Sequence, residues 1–90
     1  MTESVEVRVT GRVQGVWFRG WTKAEAEARG LSGWVRNDPD GSVRALLSGA
    51  PDDVREMVAL LHDGPPLARV AQVVVTRADS DARTGFRILK

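Results

Sequence analysis

The stretch SVEVRVTGRVQGVWFRG, Ser4–Gly20, changes its periodicity at a cluster of glycines, and that change decides how the chain begins to fold. Up to Thr10 it alternates: Val5, Val7 and Val9 fall on one side and Glu6, Arg8 and Thr10 on the other, the period-two pattern of a half-buried strand. From Trp21 the spacing becomes helical, with Trp21, Ala24, Ala28 and Leu31 on one stripe, Glu25 one turn before Arg29, and Gly30 placed to close the helix. Gly11, Gly15 and Gly20, with Arg12 and Arg19, lie at the junction. Gly11 and Gly15 allow successive peptide N–H groups to turn inward as a concave, anion-attracting nest. The start of the helix adds unpaired donors and the positive end of its dipole, and Arg19 at that start can offer a planar, two-pronged donor to two oxygens of one phosphate. A plain tight turn uses the same glycines, and the loop matches neither GxxxxGK[ST] nor GxGxxG.

Working outward, GWVRN (33–37) and SVRALLSG (42–49) flank Asp38-Pro39-Asp40-Gly41, a turn sequence, and read as a hairpin. Pro51 suits a first helical position, Asp52 and Asp53 favour the positive end of a helix dipole, and Val54, Met57, Val58 and Leu61 form one stripe that Gly64-Pro65-Pro66 ends. RVAQVVVT (69–76) is a β-branched fourth strand, and FRIL (86–89) is long enough only for a short extra edge strand. The order βαββαβ predicts an α+β, ferredoxin-like split βαβ sandwich, an antiparallel sheet with two helices on one face, formed as one domain over residues 1–90. Right-handed crossovers place the third strand between the first and second. The first and second strands then run parallel, and their C-terminal ends emerge at one sheet edge, roughly 10 Å apart. Asn37 becomes a neighbour of the glycine loop, across a gap that suits a phosphate and one water.

Composition limits the alternatives. Ninety residues bury roughly 60% of their unfolded surface in a single core. With no cysteine there is no disulfide framework and no thiolate nucleophile. Thirteen basic against twelve acidic side chains leave a charge of +1, which argues against a polyanion-coating surface. The start, MTESVEV, lacks the basic and apolar regions of a signal peptide, and no apolar run approaches membrane-spanning length. The expectation is a cytoplasmic monomer with no membrane or nucleic-acid partner. Asp38 and Asp40 read as turn residues and His62 as a helix-terminal cation, so no metal site and no cofactor are expected. Val13, Val16 and Phe18 read as anchors of the loop in the core, Trp21 and Trp34 as packing residues, and Arg36 and Arg44 as part of a solvated sheet face. Gln14 has two readings: its side chain braces the loop, or only its N–H matters.

Together, GRVQGVWFR (11–19) and GLSGWVRNDPDGSV (30–43) resemble the two signature segments of the acylphosphatase family, a glycine-valine-glutamine-glycine-valine loop ending in arginine and a strand carrying an asparagine. The similarity continues through GPPLARV (64–70) and spans about Val5 to Leu89. The resemblance implies the same ferredoxin-like fold and hydrolysis of an acyl phosphate to a carboxylate and inorganic phosphate. It also implies a phosphate cradle from the backbone of Gln14, Gly15, Val16, Trp17 and Phe18, a phosphate-binding role for Arg19, and a water-orienting role for Asn37. Trp17 fills a position that usually varies, and Arg44 stands where an acidic residue is common.

The residues support this chemistry independently. Without cysteine or a well-placed histidine a covalent intermediate has no obvious carrier, so catalysis rests on positioning and electrostatics, as phosphoryl transfer allows. The Asn37 amide both donates and accepts and can aim a water. No general acid is evident, which disfavours alkoxide leaving groups and favours a carboxylate. Two rivals use the same scaffold. One is an RNA-binding module, for which the first and third strands lack aromatics; the other is a noncatalytic phosphate-binding domain, against which the pairing of Arg19 with Asn37 counts.

Overall fold

The alternation that opens the chain becomes β1, Glu3–Arg12, with Val5, Val7 and Val9 facing the core. It is followed by α1 (Phe18–Ala28), β2 (Ser32–Asn37), β3 (Val43–Gly49), α2 (Pro51–Leu61), β4 (Arg69–Arg77) and β5 (Phe86–Leu89). This is a computed structural model, and it describes residues 2–79 and 84–89. The sheet order is β4-β1-β3-β2-β5. β1 pairs antiparallel with β3 and β4, so that Val7 lies between Ala45 and Val75. β2 pairs antiparallel with β3, which leaves β1 and β2 parallel with their ends at one edge, as the crossover rule requires.

The short C-terminal strand adds a feature that the antiparallel expectation did not contain. β5 joins the far edge parallel to β2, with Gly33 opposite Phe86, and makes the five-stranded sheet mixed. Buried Phe86 explains the choice, because on this edge its ring enters the core beneath α1.

Both helices cover one face of the sheet, α1 over β2 and β5, and α2 over β1 and β3. Helix α2 keeps its expected stripe: Val54, Met57 and Leu61 are buried, Val58 packs beside them, and Pro51 begins the helix with Asp52 and Asp53 in its first turn. Helix α1 differs in phase from its sequence reading. It starts at Phe18 and buries Phe18, Thr22 and Ala26, leaving Ala24 and Ala28 exposed, while Trp21 packs edge-on against Phe18 at 5.5 Å. The Phe18 ring dominates the burial energy and sets the phase, an alanine methyl loses little by facing water, and the Thr22 hydroxyl is satisfied inside by donating to the Phe18 carbonyl at 2.8 Å. The helix ends as expected around Gly30: the Leu31 amide donates to the Ala26 carbonyl at 2.9 Å and the Gly30 amide to Glu27 at 3.0 Å, the two bonds of a Schellman cap. Arg29 joins Glu25 at 2.8 Å and Glu56 at 3.0 Å, linking the two helices.

The valine run of β4 is less buried than its composition suggests. Val70 and Val73 pack on the core, but Val74, opposite Arg8, points to the helix-free face, and Val75, although on the core side, is exposed because β4 is an edge strand beyond the reach of the helices. The helix-free face carries Trp34, with the Arg36 guanidinium 4.9 Å from its ring centroid, so this tryptophan packs against a cation and Trp21 against the core.

Leu47, fully buried at the centre of β3, tests this core. Leu47→Ala should lower the unfolding free energy by about 2–5 kcal/mol. Val74→Thr on the exposed edge should change it by about 0.5 kcal/mol or less, both read from urea midpoints.

Candidate active site

Three buried side chains hold the β1–α1 loop in place. Val13, Val16 and Phe18 all insert into the core, so the backbone between them is fixed although Gly15 and Trp17 face solvent. The register of β1 against β4 shifts between Thr10 and Gly11, a bulge that turns the chain out of the strand. Gly11 has φ 118°, and any side chain there would strike the Arg69 carbonyl and the Ala71 amide of β4. Further along, Gly15 (φ 75°) and Trp17 (φ 64°) both adopt left-handed backbone, and Trp17 is the only non-glycine residue with positive φ among those described. Such a conformation costs a non-glycine residue on the order of 1–3 kcal/mol and is held by its surroundings.

Trp17 is also the N-cap of α1 and supplies no side-chain hydrogen bond to the helix. The first intrahelical bond recorded is from the Trp21 amide to the Trp17 carbonyl, 3.0 Å, so the N–H groups of Phe18, Arg19 and Gly20 in the first turn have no helical acceptor. They form a cluster of donors at the positive end of the helix dipole.

Gln14 brings the second half of the site to this cluster. Its Nε2 donates to the Asp38 carbonyl at 2.8 Å and the Ser42 carbonyl at 2.9 Å, both in the β2–β3 turn. Of its two sequence readings, bracing by the side chain is the one observed. Asn37, the last residue of β2, is thereby held beside the loop. Arg19 and Asn37 line one cavity of about 250 Å³ together with Val13, Gly15, Trp17, Phe18, Gly20 and Ile88. The structure therefore brings together Gly15, Trp17, Phe18, Arg19 and Asn37 from the expected set, while the Gln14 side chain turns to the hairpin and that of Val16 to the core.

The Asn37 Oδ1 is buried and has no hydrogen-bond partner among the described residues, an uncommon condition for a side-chain acceptor. Arg44 Nε is the other such atom among the described residues, but it lies 2.8 Å from Asp38 Oδ2 and is ion-paired there. Arg19 is half-buried and makes no ion pair with the described residues.

Three lining residues lie outside the site set read from the sequence: Val13, read only as a loop anchor, Gly20 and Ile88. Gly20 packs under the exposed Trp17 indole, where an added Cβ would lie 2.9 Å from Cδ1 and closer still to Nε1. The glycine itself was visible in sequence, but the indole above it was not. Ile88 comes from β5, and nothing in FRIL signals which strand it joins.

Asp38 and Asp40 are turn residues, as expected. Asp38 accepts from Arg36 Nε at 2.9 Å, and Asp40 from Arg8 at 2.8 Å and from the Ser42 hydroxyl and amide at 2.6 and 2.9 Å. No group of three or more histidine, cysteine or acidic residues able to hold a metal occurs among the described residues. Backbone donors, the Arg19 guanidinium and the Asn37 amide around a small cavity have the chemistry that a tetrahedral oxyanion requires, carried on an α+β domain.

The acylphosphatase family profile matches residues 5–88. An acylphosphatase of Rhizobium meliloti (strain 1021) is 54% identical over 85 residues, 93% of this chain and 90% of its own length. The crystal structure of acylphosphatase from Bacillus subtilis superposes over all of both chains with a TM-score of 0.94 and 35% identity. An acylphosphatase structure from Coxiella burnetii matches equally well, with a TM-score of 0.94 and 33% identity over 98% of this chain and 93% of that one. The chain belongs to the acylphosphatase family, and its catalytic activity is that of a hydrolase acting on acyl phosphates. Among the described residues no helix is long and apolar enough to cross a membrane.

The turn beside Asn37 predicts a pH effect. The Arg8 hydrogen bond, followed by those of the Ser42 hydroxyl and amide, holds the Asp40 carboxyl well below the usual carboxylate range. A carboxyl depressed in the folded state stabilises it at neutral pH, and this contribution is lost as pH falls through and below the ordinary aspartate value of about 4. Unfolding midpoints of Asp40→Asn should therefore lie below wild type at pH 7 and converge with it toward acid pH.

Proposed function

We propose that this acylphosphatase cleaves its substrate by direct attack of a water held by Asn37 on a phosphoryl group held by the loop backbone from Gln14 to Phe18 and by Arg19, with neither a metal ion nor a covalent enzyme intermediate. The observation that carries this reading is the buried, unpartnered Asn37 Oδ1 in the same cavity as Arg19 and the α1 N-terminus.

The α1 donors and the Arg19 fork bind the phosphoryl oxygens and stabilise the charge that grows on them in a loose transition state. Asn37 Oδ1 accepts a hydrogen bond from the water and turns a lone pair toward phosphorus, opposite the acyl oxygen. The water oxygen bonds to phosphorus as the phosphorus–acyl oxygen bond breaks, and the electron pair of that bond leaves on the carboxylate. An amide does not take up a proton at neutral pH, so the proton released by the water passes to a phosphate oxygen or to solvent. The carboxylate leaves as a stable anion and needs no protonation, which suits a site without a general acid. The products are the carboxylate and inorganic phosphate. In this reading the domain works alone as a cytoplasmic monomer, with no nucleic-acid or membrane partner and no cofactor.

Asn37→Ala should reduce kcat for acetyl phosphate by on the order of a hundredfold, the usual scale for losing one placed catalytic group. Inhibition by phosphate should stay near wild type, and the urea midpoint should change little because the lost acceptor has no partner among the described residues. Activity that falls only in step with unfolding would reduce Asn37 to a structural residue. Arg19 should give a different pattern. Arg19→Gln should weaken phosphate inhibition and turnover together, and Arg19→Lys should recover only part of both, because an ammonium lacks the planar fork. Both are measured by steady-state kinetics in the presence of a chelator, which should itself leave wild-type activity unchanged.

A further inference from the structure

A second cleft opens on the other side of Gly15. It measures about 490 Å³ and is bounded by Arg12 at the end of β1, Arg69 at the start of β4, and the Pro66–Ala68 segment between α2 and β4. Gly15 lines both this cleft and the cavity that holds Arg19 and Asn37. A substrate with its phosphoryl group in the cavity would reach the cleft by passing Gly15, which carries no side chain.

Arginines face arginines elsewhere in this sheet, Arg44 lying opposite both Arg8 and Arg36, but the pair at the cleft lacks the carboxylates found there. Arg12 and Arg69 are direct cross-strand partners, a placement of like charges that disfavours the sheet. Both are exposed, and neither forms an ion pair with the described residues. By contrast, the facing arginines Arg8, Arg36 and Arg44 share the carboxylates of Glu6, Asp38 and Asp40, although Arg19, Arg77 and Arg87 also make no ion pair with the described residues. The bulge at Gly11 creates the juxtaposition, because the register shift brings Arg12 opposite Arg69 next to the loop. Leu67, 74% exposed, and Pro66 add an apolar wall beside the two guanidinium groups.

We propose that Arg12 and Arg69 form a subsite for a second oxyanion, carried at the far end of the substrate's acyl group, so that the enzyme prefers acyl phosphates bearing an additional carboxylate or phosphate. Pro66 and Leu67 cover the connecting carbon chain. The subsite rests on the assignment of the phosphoryl group to the Arg19–Asn37 cavity, and it deepens that assignment by giving the acyl group a direction.

Succinyl phosphate and butyryl phosphate test it on the full chain, since they share a four-carbon acyl group and differ in a terminal carboxylate against a methyl. Wild type should show the higher kcat/KM for succinyl phosphate, through KM. Arg12→Gln and Arg69→Gln should each reduce the succinyl-to-butyryl ratio by about threefold and the double variant by about tenfold, the scale of exposed charge pairs strengthened by bidentate geometry. The ratio should also fall in about 0.5 M salt, where exposed charges are screened. In a further arm, 3-phosphonopropionyl phosphate replaces succinyl phosphate; a steeper loss with it assigns the subsite to a phosphate-like group, a shallower one to a carboxylate. An unchanged ratio in variants that retain the wild-type circular dichroism spectrum overturns the subsite, as does an equal loss for both substrates. Wild type that hydrolyses neither substrate overturns the reading of the Arg19–Asn37 cavity, whereas brisk turnover without a succinyl preference overturns the subsite alone.

Discussion

Two hydrogen bonds from the Gln14 amide to carbonyls of the β2–β3 turn hold the functional end of this molecule together. The two segments they join lie 24 and 28 residues apart in the chain and come from strands that are not neighbours, because β3 runs between β1 and β2. Sheet hydrogen bonding fixes the strands but not the loops at their ends. The Gln14 contact is what sets the loop that leads into Arg19 of α1 against the strand end that carries Asn37. The turn it grips is itself stiffened, since Asp38 pairs with Arg36 and Arg44 while Asp40 pairs with Arg8 and Ser42.

Departures from local structural rules gather at this same end. Trp17 takes a left-handed conformation and leaves its indole exposed, Asn37 keeps a buried acceptor without a partner, and two arginines face each other across β1 and β4. Each is unfavourable in the folded chain alone; in the proposed mechanism the turn at Trp17 presents backbone donors and the arginines positive charge to oxyanions, while Asn37 Oδ1 accepts from the attacking water. The opposite end follows the rules: α1 closes in a Schellman cap, α2 begins with proline and two aspartates, and the residues between them form one apolar core. That core is the support on which the strained loop is held, through Val13, Val16 and Phe18.

The helix-free face of the sheet has a different role. Its centre is Arg44, 3.3 Å from Glu6 and 2.8 Å from Asp38, with Arg36 bridging from Asp38 to the Trp34 ring. These partly exposed pairs add little stability individually. As a network they connect β1, β2 and β3 up to the turn beside Asn37, so the charged face helps to position the turn.

Strand alternation, turn residues and helix boundaries were legible in the sequence because they depend on neighbours a few residues apart: Val5, Val7 and Val9, the Asp38–Gly41 turn, Pro51 and Gly30 all do what their local chemistry dictates. The glycine loop with Arg19, and Asn37 beside it, could also be found, because crossover handedness alone brings the ends of β1 and β2 to one edge. The phase of α1 could not, since the choice between Phe18–Thr22–Ala26 and the alternative stripe was made by how much surface the Phe18 ring buries against the sheet. Nor could the parallel pairing of β5 that carries Ile88 into the cavity, the indole over Gly20, or the meeting of Arg12 with Arg69. These arise from contacts between residues distant in sequence, where packing in three dimensions chooses among arrangements that local chemistry leaves equal.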